Sequence, residues 1–392
     1  MTKLPDSFSF ANIYRCYLAC RRNKRNTINA LRFEISAEEN VLRLERELKN
    51  RTYRPARSIL FASRKPKLRE IFAADFRDRV VHHVLVDHLE RIYEPIFIHD
   101  SYACRKNKGT HAAVMRQQNF LRKISKNGKA RAFYLQLDIK DFFTSIDKSV
   151  LFCLMKRKIS DPGMLWLTEK ILFHDPTESF LLRDSEAIVD KVPANKSLFG
   201  KQNLKGLPIG NLTSQFFANV YLNELDQFVK HVLKARYYIR YVDDFVLLSE
   251  DEEKLRMWQG EIEAFLSEKL LLRLHPKRRK LQPISNGIDF LGYIIRRDYI
   301  LVRRRVVNNL KSRLRHFSAR HYEPRCEIGA EQSQDGLKTG FAMTKGEVEL
   351  CKGMRACIQS YLAHFKWANS YNLVKSLAGQ AQFSVKDLRV NW

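Results

Sequence analysis

No stretch of this chain approaches the roughly 20 uninterrupted apolar residues that a membrane-spanning helix needs, so no such helix is expected. The first residues, with Asp6 among scattered polar side chains, lack the apolar core of a secretory signal peptide, and a cytoplasmic protein is expected. Its seven cysteines (Cys16, Cys20, Cys104, Cys153, Cys326, Cys351 and Cys357) never form a C-x-x-C pair. Cys16 and Cys20 could share a helix face, but no second pair follows at zinc spacing, so reduced, buried thiols are expected and neither disulfide nor zinc. There is no internal repeat and no low-complexity tail. Acidic residues are the remaining shortage: 43 Asp and Glu stand against 70 Lys and Arg, a formal net charge of +27. An excess of that size points to a polyanionic partner such as nucleic acid.

What is present suffices for a large core. With 45% hydrophobic residues in a chain of 392, two or three subdomains can be buried. Residues 8–55 read as helices, and Val41, Leu44 and Leu48 recur on one face. Ser36 is the expected N-cap of that last helix, with Glu39 as its capping-box partner. Residues 74–95 read as a long helix with Val80, Val81, Val84, Leu85 and Leu89 on its apolar side. Asp161-Pro162-Gly163 breaks two helices, and 200–211 is a glycine-containing loop. Asn211 or Thr213 is expected to cap a helix from near Ser214 to about Val232. A further helix covers 249–270, followed by a strand near 271–274. Beyond Ile300 the pattern is helical, apart from a breaker-rich loop at 321–345 holding Pro324, Gly329, Gly336 and Gly340.

The chemistry concentrates in two acidic blocks. Tyr241-Val242-Asp243-Asp244 lies between apolar runs that read as two strands, which places adjacent carboxylates at a hairpin tip. Asp is common in solvated turns, so the pair alone decides nothing. Upstream, Leu135-Gln136-Leu137-Asp138-Ile139-Lys140-Asp141-Phe142-Phe143 is a second β-prone run with Asp138 where the strand should end. Asp138, Asp243 and Asp244 on neighbouring strands could hold two Mg²⁺ ions, for which carboxylate and phosphate oxygens are the preferred ligands. Asp141 is a weaker candidate, because a continuing strand would point it to the other face.

The ordered set of motifs from about residue 60 to 295 resembles the reverse transcriptases. Lys65-Pro66-Lys67-Leu68-Arg69 is similar to their fingers motif, and Tyr93 to Phe97 with Ser101-Tyr102-Ala103-Cys104-Arg105 and Gly109-Thr110-His111 to the next block. LDIKDFF and YVDD are similar to the two catalytic blocks. Phe290-Leu291-Gly292-Tyr293 is similar to the primer-grip hairpin. The resemblance implies an α+β right-hand polymerase: N-terminal helices and fingers over 1–110, a catalytic fingers and palm domain with an antiparallel sheet over 111–295, and a helical thumb over 296–392. It implies dNTP contacts from Lys67 and Arg69, with Arg suited to bidentate phosphate binding. A solvated basic turn is the plainer reading of those two. Phe143 falls at the family's steric-gate position against ribose 2′-hydroxyls. Lys277 and Lys280 are candidates to protonate pyrophosphate, with phosphate contact as their alternative role. The basic runs Lys277 to Lys280, Arg303 to Arg305 and Lys311 to Arg320 fall where a thumb would meet the duplex. If about six to ten phosphates are contacted, affinity drops roughly a thousandfold between low and moderate salt.

Gly206-Leu207-Pro208-Ile209-Gly210-Asn211-Leu212-Thr213-Ser214-Gln215 departs from the group II intron and retroviral pattern, which has Gln after the Pro and Pro after the Ser. Ile209, Gly210, Ser214 and Gln215 instead resemble the reverse transcriptases of diversity-generating retroelements, as does the segment Ser360 to Tyr371. That resemblance implies an RNA template repeat copied into cDNA with errors at adenines. It also implies a small basic accessory protein assembled as a ring. Mg²⁺ is the implied cofactor, as two ions, with Mn²⁺ able to substitute. Ile209 removes a hydrogen bond worth roughly 1 kcal/mol from the nucleotide site; an ordinary packing role is the alternative. A defence-associated reverse transcriptase and an inactive nucleic-acid-binding homologue remain alternatives. A maturase is disfavoured by the roughly 95 residues after FLGY, too few for a DNA-binding and nuclease appendage, and an RNase H domain by the same shortage.

Overall fold

The N-terminal helices form because apolar side chains recur on one face and pack against a long partner. The computed structural model describes residues 6–22, 27–64, 67–201, 204–321 and 356–380. Helices α1 (Phe10–Arg21), α2 (Ile28–Ile35) and α3 (Ala37–Lys49) lead the chain. Val41, Leu44 and Leu48 of α3 are fully buried, as their spacing required. Ser36 makes no side-chain cap, contrary to the capping-box expectation. It also closes α2, donating its N–H to the Glu34 carbonyl, and two helices meeting at one residue leave no extended Ncap backbone. Helix α4 (Phe76–Tyr93) begins at Asp75, whose carboxylate accepts from the Arg77 N–H.

The chain divides into two compact units, Met1–Ala113 with Phe133–Gln282, and Val114–Ala132 with Pro283–Trp392. In the first unit β1 (Ser58–Ser63) pairs antiparallel with β2 (Arg69–Ala73) and parallel with β4 (Phe180–Leu182). Lys65 and Pro66 of the expected fingers motif lie outside the described residues. Helix α5 (Thr110–Ile124), most of which belongs to the second unit, precedes in the chain the first unit's second sheet, built from β3 (Phe133–Ile139), β5 (Tyr237–Tyr241), β6 (Asp244–Ser249) and β7 (Leu274–Pro283) in the order β5-β6-β3-β7. Strand β6 buries Phe245, Val246, Leu247 and Leu248 in succession, as a central strand covered on both faces does.

Helices α6 (Phe142–Ser145), α7 (Lys148–Lys156), α8 (Pro162–Leu172) and α9 (Glu186–Val189) follow β3, and α8 is capped by Asp161 with Pro162 in its first turn. Helix α10 (Leu212–Gln227) is buried almost all round and ends in a π-turn at Phe228–Val232; α11 (Glu252–Lys269) is capped by Asp251. Asn211 stands at the N-cap of α10 but does not cap it; its Oδ1 accepts from the Ala74 N–H at 3.0 Å, tying the loop to the end of β2. The strand expected near 271–274 runs from Leu274 to Pro283. The basic run Lys277 to Lys280 therefore lies on this sheet in the first unit, not in a helical thumb.

In the second unit β8 (Ile288–Phe290), β9 (Tyr293–Ile295) and β10 (Ile300–Val302) form an antiparallel meander. Helices α12 (Arg304–His321), α13 (356–365) and α14 (Tyr371–Gln380) bury Leu310, Leu314, Ile358, Leu362, Phe365, Val374 and Leu377 in one core. Most of the loop expected over 321–345, and Cys326 and Cys351, lie outside the described residues. Of the described cysteines, all free thiols, Cys16 and Cys20 are buried on α1, but Cys104 and Cys153 are exposed, against the expectation of buried thiols. Among the described residues no helix is long and apolar enough to cross a membrane.

Candidate active site

Strands β3 and β6 pair antiparallel until Asp138, the last residue but one of β3, faces Asp244, the first of β6. The reversal from β5 into β6 passes through Val242 at φ 55, a left-handed conformation rare for a β-branched residue. That twist lifts Asp243 out of the ladder. Its carbonyl accepts from the Ile139 N–H at 3.2 Å, and both Asp138 and Asp243 line a cleft of about 350 Å³. Burial, and then the Asp138 charge, push the Asp243 carboxyl up to about 6, with Arg69 and Arg278 pulling the other way. Asp138 accepts from Arg278 Nη1 at 2.9 Å. Asp244 is not brought into the cleft: its carboxylate takes the Gln136 amide at 3.1 and 3.4 Å.

Asp141 does line it. The strand stops at Ile139, and Asp141 turns at φ 47 to open α6, so the face alternation assumed from sequence no longer applies. Its Oδ1 accepts from Asn195 Nδ2 at 2.8 Å.

Cations line another wall. Lys67 and Arg69, beside and at the start of β2, share it with Lys196. The Lys67 ammonium is pulled below its ordinary pKa by burial, then by Arg278, Lys196 and Arg69. A polyphosphate would relieve that crowding. Phe143 and Ile209 supply apolar surface, whereas Phe142, which also touches the cleft, is only 2% exposed and belongs to the core. The Ile209 carbonyl accepts from the Phe72 N–H at 3.0 Å. Gly210 is required next to it: at φ 121, an added Cβ would meet Ile71 Cγ2 at 2.7 Å. Of the remaining motif, Ser214 is buried and Gln215 exposed, and neither lines the cleft.

The general-acid candidates are displaced as well. Lys277 and Lys280 are exposed and outside the cleft, while His275 and Arg278 line it. Between the two lysines, Arg279 pairs with Glu263 of α11 at 2.6 and 2.8 Å, whereas Arg278 reaches Asp138. Arg278, Asn195 and Lys196 were not singled out from sequence; the Arg-Arg pair inside the basic run was the one available signal for Arg278. In the second unit, the Phe290-Leu291-Gly292-Tyr293 hairpin turns through φ 53 at Leu291 and φ 93 at Gly292, the signs of a type I′ turn. Phe290 and Tyr293 point into the core, and the Tyr293 hydroxyl donates to the His364 carbonyl at 2.8 Å.

Residues 62–295, which carry this cleft, match the family model for reverse transcriptase (RNA-dependent DNA polymerase). The chain belongs to the reverse transcriptase family. Its mixed α+β architecture is that of a right-hand polymerase. Among curated relatives, the group II intron-encoded protein LtrA of Lactococcus lactis is 26% identical over 325 residues, covering 66% of this chain and 50% of that protein. Protein YkfC of Escherichia coli is 24% identical over 300 residues, covering 68% and 73%. The chain thus spans about half the length of the first of these. A structure of apo telomerase from Candida Tropicalis, truncated from its C-terminal domain, matches with a TM-score of 0.45 and 11% identity over 63% of this chain and 55% of that one.

Reverse transcriptases work with divalent metal, and the residues present fit it. Two carboxylates confined together, one holding its proton to about pH 6, form a pair that a cation would relieve. Among the described residues no group of three or more His, Cys, Asp or Glu is placed to hold a metal ion. Mg²⁺ binds through one or two carboxylates and completes its shell with water and substrate phosphates. Bound there, two such ions would activate a primer 3′-hydroxyl and neutralise the leaving pyrophosphate.

Proposed function

We propose that this chain is an RNA-directed DNA polymerase that extends a primer 3′-hydroxyl with dNTPs on an RNA template. The observation that carries this is the convergence of Asp138 and Asp243 with Lys67 and Arg69 in one cleft. In this reading Asp138 and Asp243 hold the metal ions with Asp244 as the third acid of the triad, and Lys67 and Arg69 orient the triphosphate. Phe143 blocks the ribose 2′-hydroxyl, and the 290–293 hairpin holds the primer. Arg278 replaces Lys277 and Lys280 as the cation nearest the chemistry. In the same reading residues 1–110 are N-terminal helices and fingers, 111–295 a catalytic fingers and palm domain, and 296–392 a helical thumb. The test is primer extension on RNA with Mg²⁺. Wild type should incorporate dNTPs, and Asp243→Asn should not, while RNA binding persists on the basic surface. Retained incorporation in that variant overturns the site.

The finer reading is a diversity-generating retroelement enzyme, copying a template repeat with errors at adenine beside a small basic ring-forming partner. Its support is Ile209, which offers an aliphatic surface to the cleft that Phe143 also lines, at a position where group II intron and retroviral enzymes carry Gln. The likeness to LtrA favours a second reading, an intron-associated reverse transcriptase. Sequencing cDNA made by the purified enzyme separates the two: errors concentrated opposite template adenine support the first, and an even spectrum supports the second.

A further inference from the structure

Three motif blocks meet around one buried guanidinium, and one of them, the RYVDD turn, also lines the cleft. Arg240 of β5 and Asp226 of α10 are both 0% exposed and form a two-pronged pair, Nε to Oδ1 at 2.8 Å and Nη2 to Oδ2 at 2.6 Å. The Tyr238 hydroxyl donates to the same Oδ1 at 2.7 Å. Arg240 Nη2 also donates to Ser101 Oγ at 3.0 Å, and Nη1 to Asn219 Oδ1 at 3.3 Å. Asn219 in turn donates to the Ala103 carbonyl at 2.8 Å. The SYACR block, the FFAN stretch of α10 and the RYVDD turn are thereby joined.

One further bond leaves this network for the site. Arg240 Nη1 donates to the Val242 carbonyl at 3.0 Å. Val242 holds the left-handed conformation that turns Asp243 into the cleft, a conformation a β-branched residue keeps only when its surroundings impose it. A buried ion pair is a poor source of stability, since well-packed apolar residues often serve as well. What apolar residues cannot do is grip a carboxylate and a backbone carbonyl at once, and the planar fork of arginine can.

We propose that Arg240 is a positioning residue, anchored by Asp226, that clamps the Val242–Asp243 peptide so that the Asp243 carboxylate is presented to a divalent cation. The role rests on the polymerase reading for its purpose, but not for its test.

The test follows Mn²⁺ alone, titrated into the full chain by electron paramagnetic resonance, alongside primer extension. Arg240→Lys keeps the charge and loses the fork. It should weaken Mn²⁺ binding and lower kcat about tenfold or more, the usual consequence of losing support behind a metal ligand, with KM for dNTP little changed. Tyr238→Phe, which loses a bond to Asp226 but touches no part of the turn, should leave both unchanged. In the Val242→Gly background, where positive φ needs no clamp, the effect of Arg240→Lys should shrink to about twofold or less. Unaltered Mn²⁺ binding in Arg240→Lys, or an undiminished effect in that background, overturns the proposal. If Arg240→Lys does not fold, Asp226→Glu shifts the guanidinium and is read in the same way. Failure of both to fold assigns the pair to the core alone and also overturns it. A wild type that binds Mn²⁺ as expected but extends no primer counts against the polymerase reading and leaves the clamp standing.

Discussion

Asp243→Asn should make the metal-free protein more stable while removing its activity. The carboxyl is pushed from an ordinary 3.8 to about 6, by burial and then by Asp138. Between those values the folded chain holds a proton that the unfolded chain has released. The group's stabilising contribution is therefore complete below about pH 4 and is lost as pH rises through 6. At 1.36 kcal/mol for each tenfold change in proton affinity, an ionised Asp243 costs the metal-free fold up to about 3 kcal/mol at pH 7 to 8. Asparagine matches the shape without the charge and escapes that loss. With about 2–4 °C per kcal/mol in a unit of this size, the variant should melt several degrees above wild type at pH 7.5 in EDTA. The gap should close toward pH 4.5, and millimolar Mg²⁺ should narrow it by stabilising wild type alone. Parallel melting curves for the two proteins across that pH range, in EDTA, would refute the reasoning. They would mean that Asp243 feels no repulsion and that the pair does not await a cation.

Three further outcomes are expected. Phe143→Ala should lower the preference for dNTPs over ribonucleotides by about tenfold or more in primer extension, because shape exclusion by one side chain is worth that much; an unchanged preference in an active variant moves the gate elsewhere. Ile209→Gln should reduce misincorporation opposite template adenine by roughly two- to tenfold, the worth of one hydrogen bond, read by sequencing cDNA. Arg278→Ala should lower kcat about tenfold by removing the charged contact to Asp138, whereas Lys277→Ala and Lys280→Ala should change it little; single-turnover extension distinguishes them.

Much of this was legible in the chain because local pattern and tertiary role coincide. Val80, Val81, Val84, Leu85 and Leu89 spell out α4, and the apolar runs around Asp243 spell out the β5–β6 hairpin. Legibility failed where a side chain's partner lies far away in sequence. Nothing local tells that Asn211 leaves its helix to bond Ala74, or that Gln136 draws Asp244 aside. Asp141 reaches the cleft because the strand stops at Ile139, and that end is set by the backbone turn after it, not by composition. The basic run at 277–280 was assigned by position in the chain, whereas its place is an edge strand that puts Arg278 beside Asp138 and Lys277 away from it.

The bonds from Phe72 to Ile209 and from Ala74 to Asn211 have a mechanical meaning. They splice the strand after Arg69 to the loop bearing Ile209, so that under the proposed reading the cations that would hold a triphosphate and the aliphatic surface of Ile209 are tied to one stretch of backbone. If these residues act as proposed, how tightly a nucleotide is held and how strictly it is judged would not be independently adjustable. Selection for looser copying, acting on residues 209–211, would register at the same time in the concentration of nucleotide the enzyme needs.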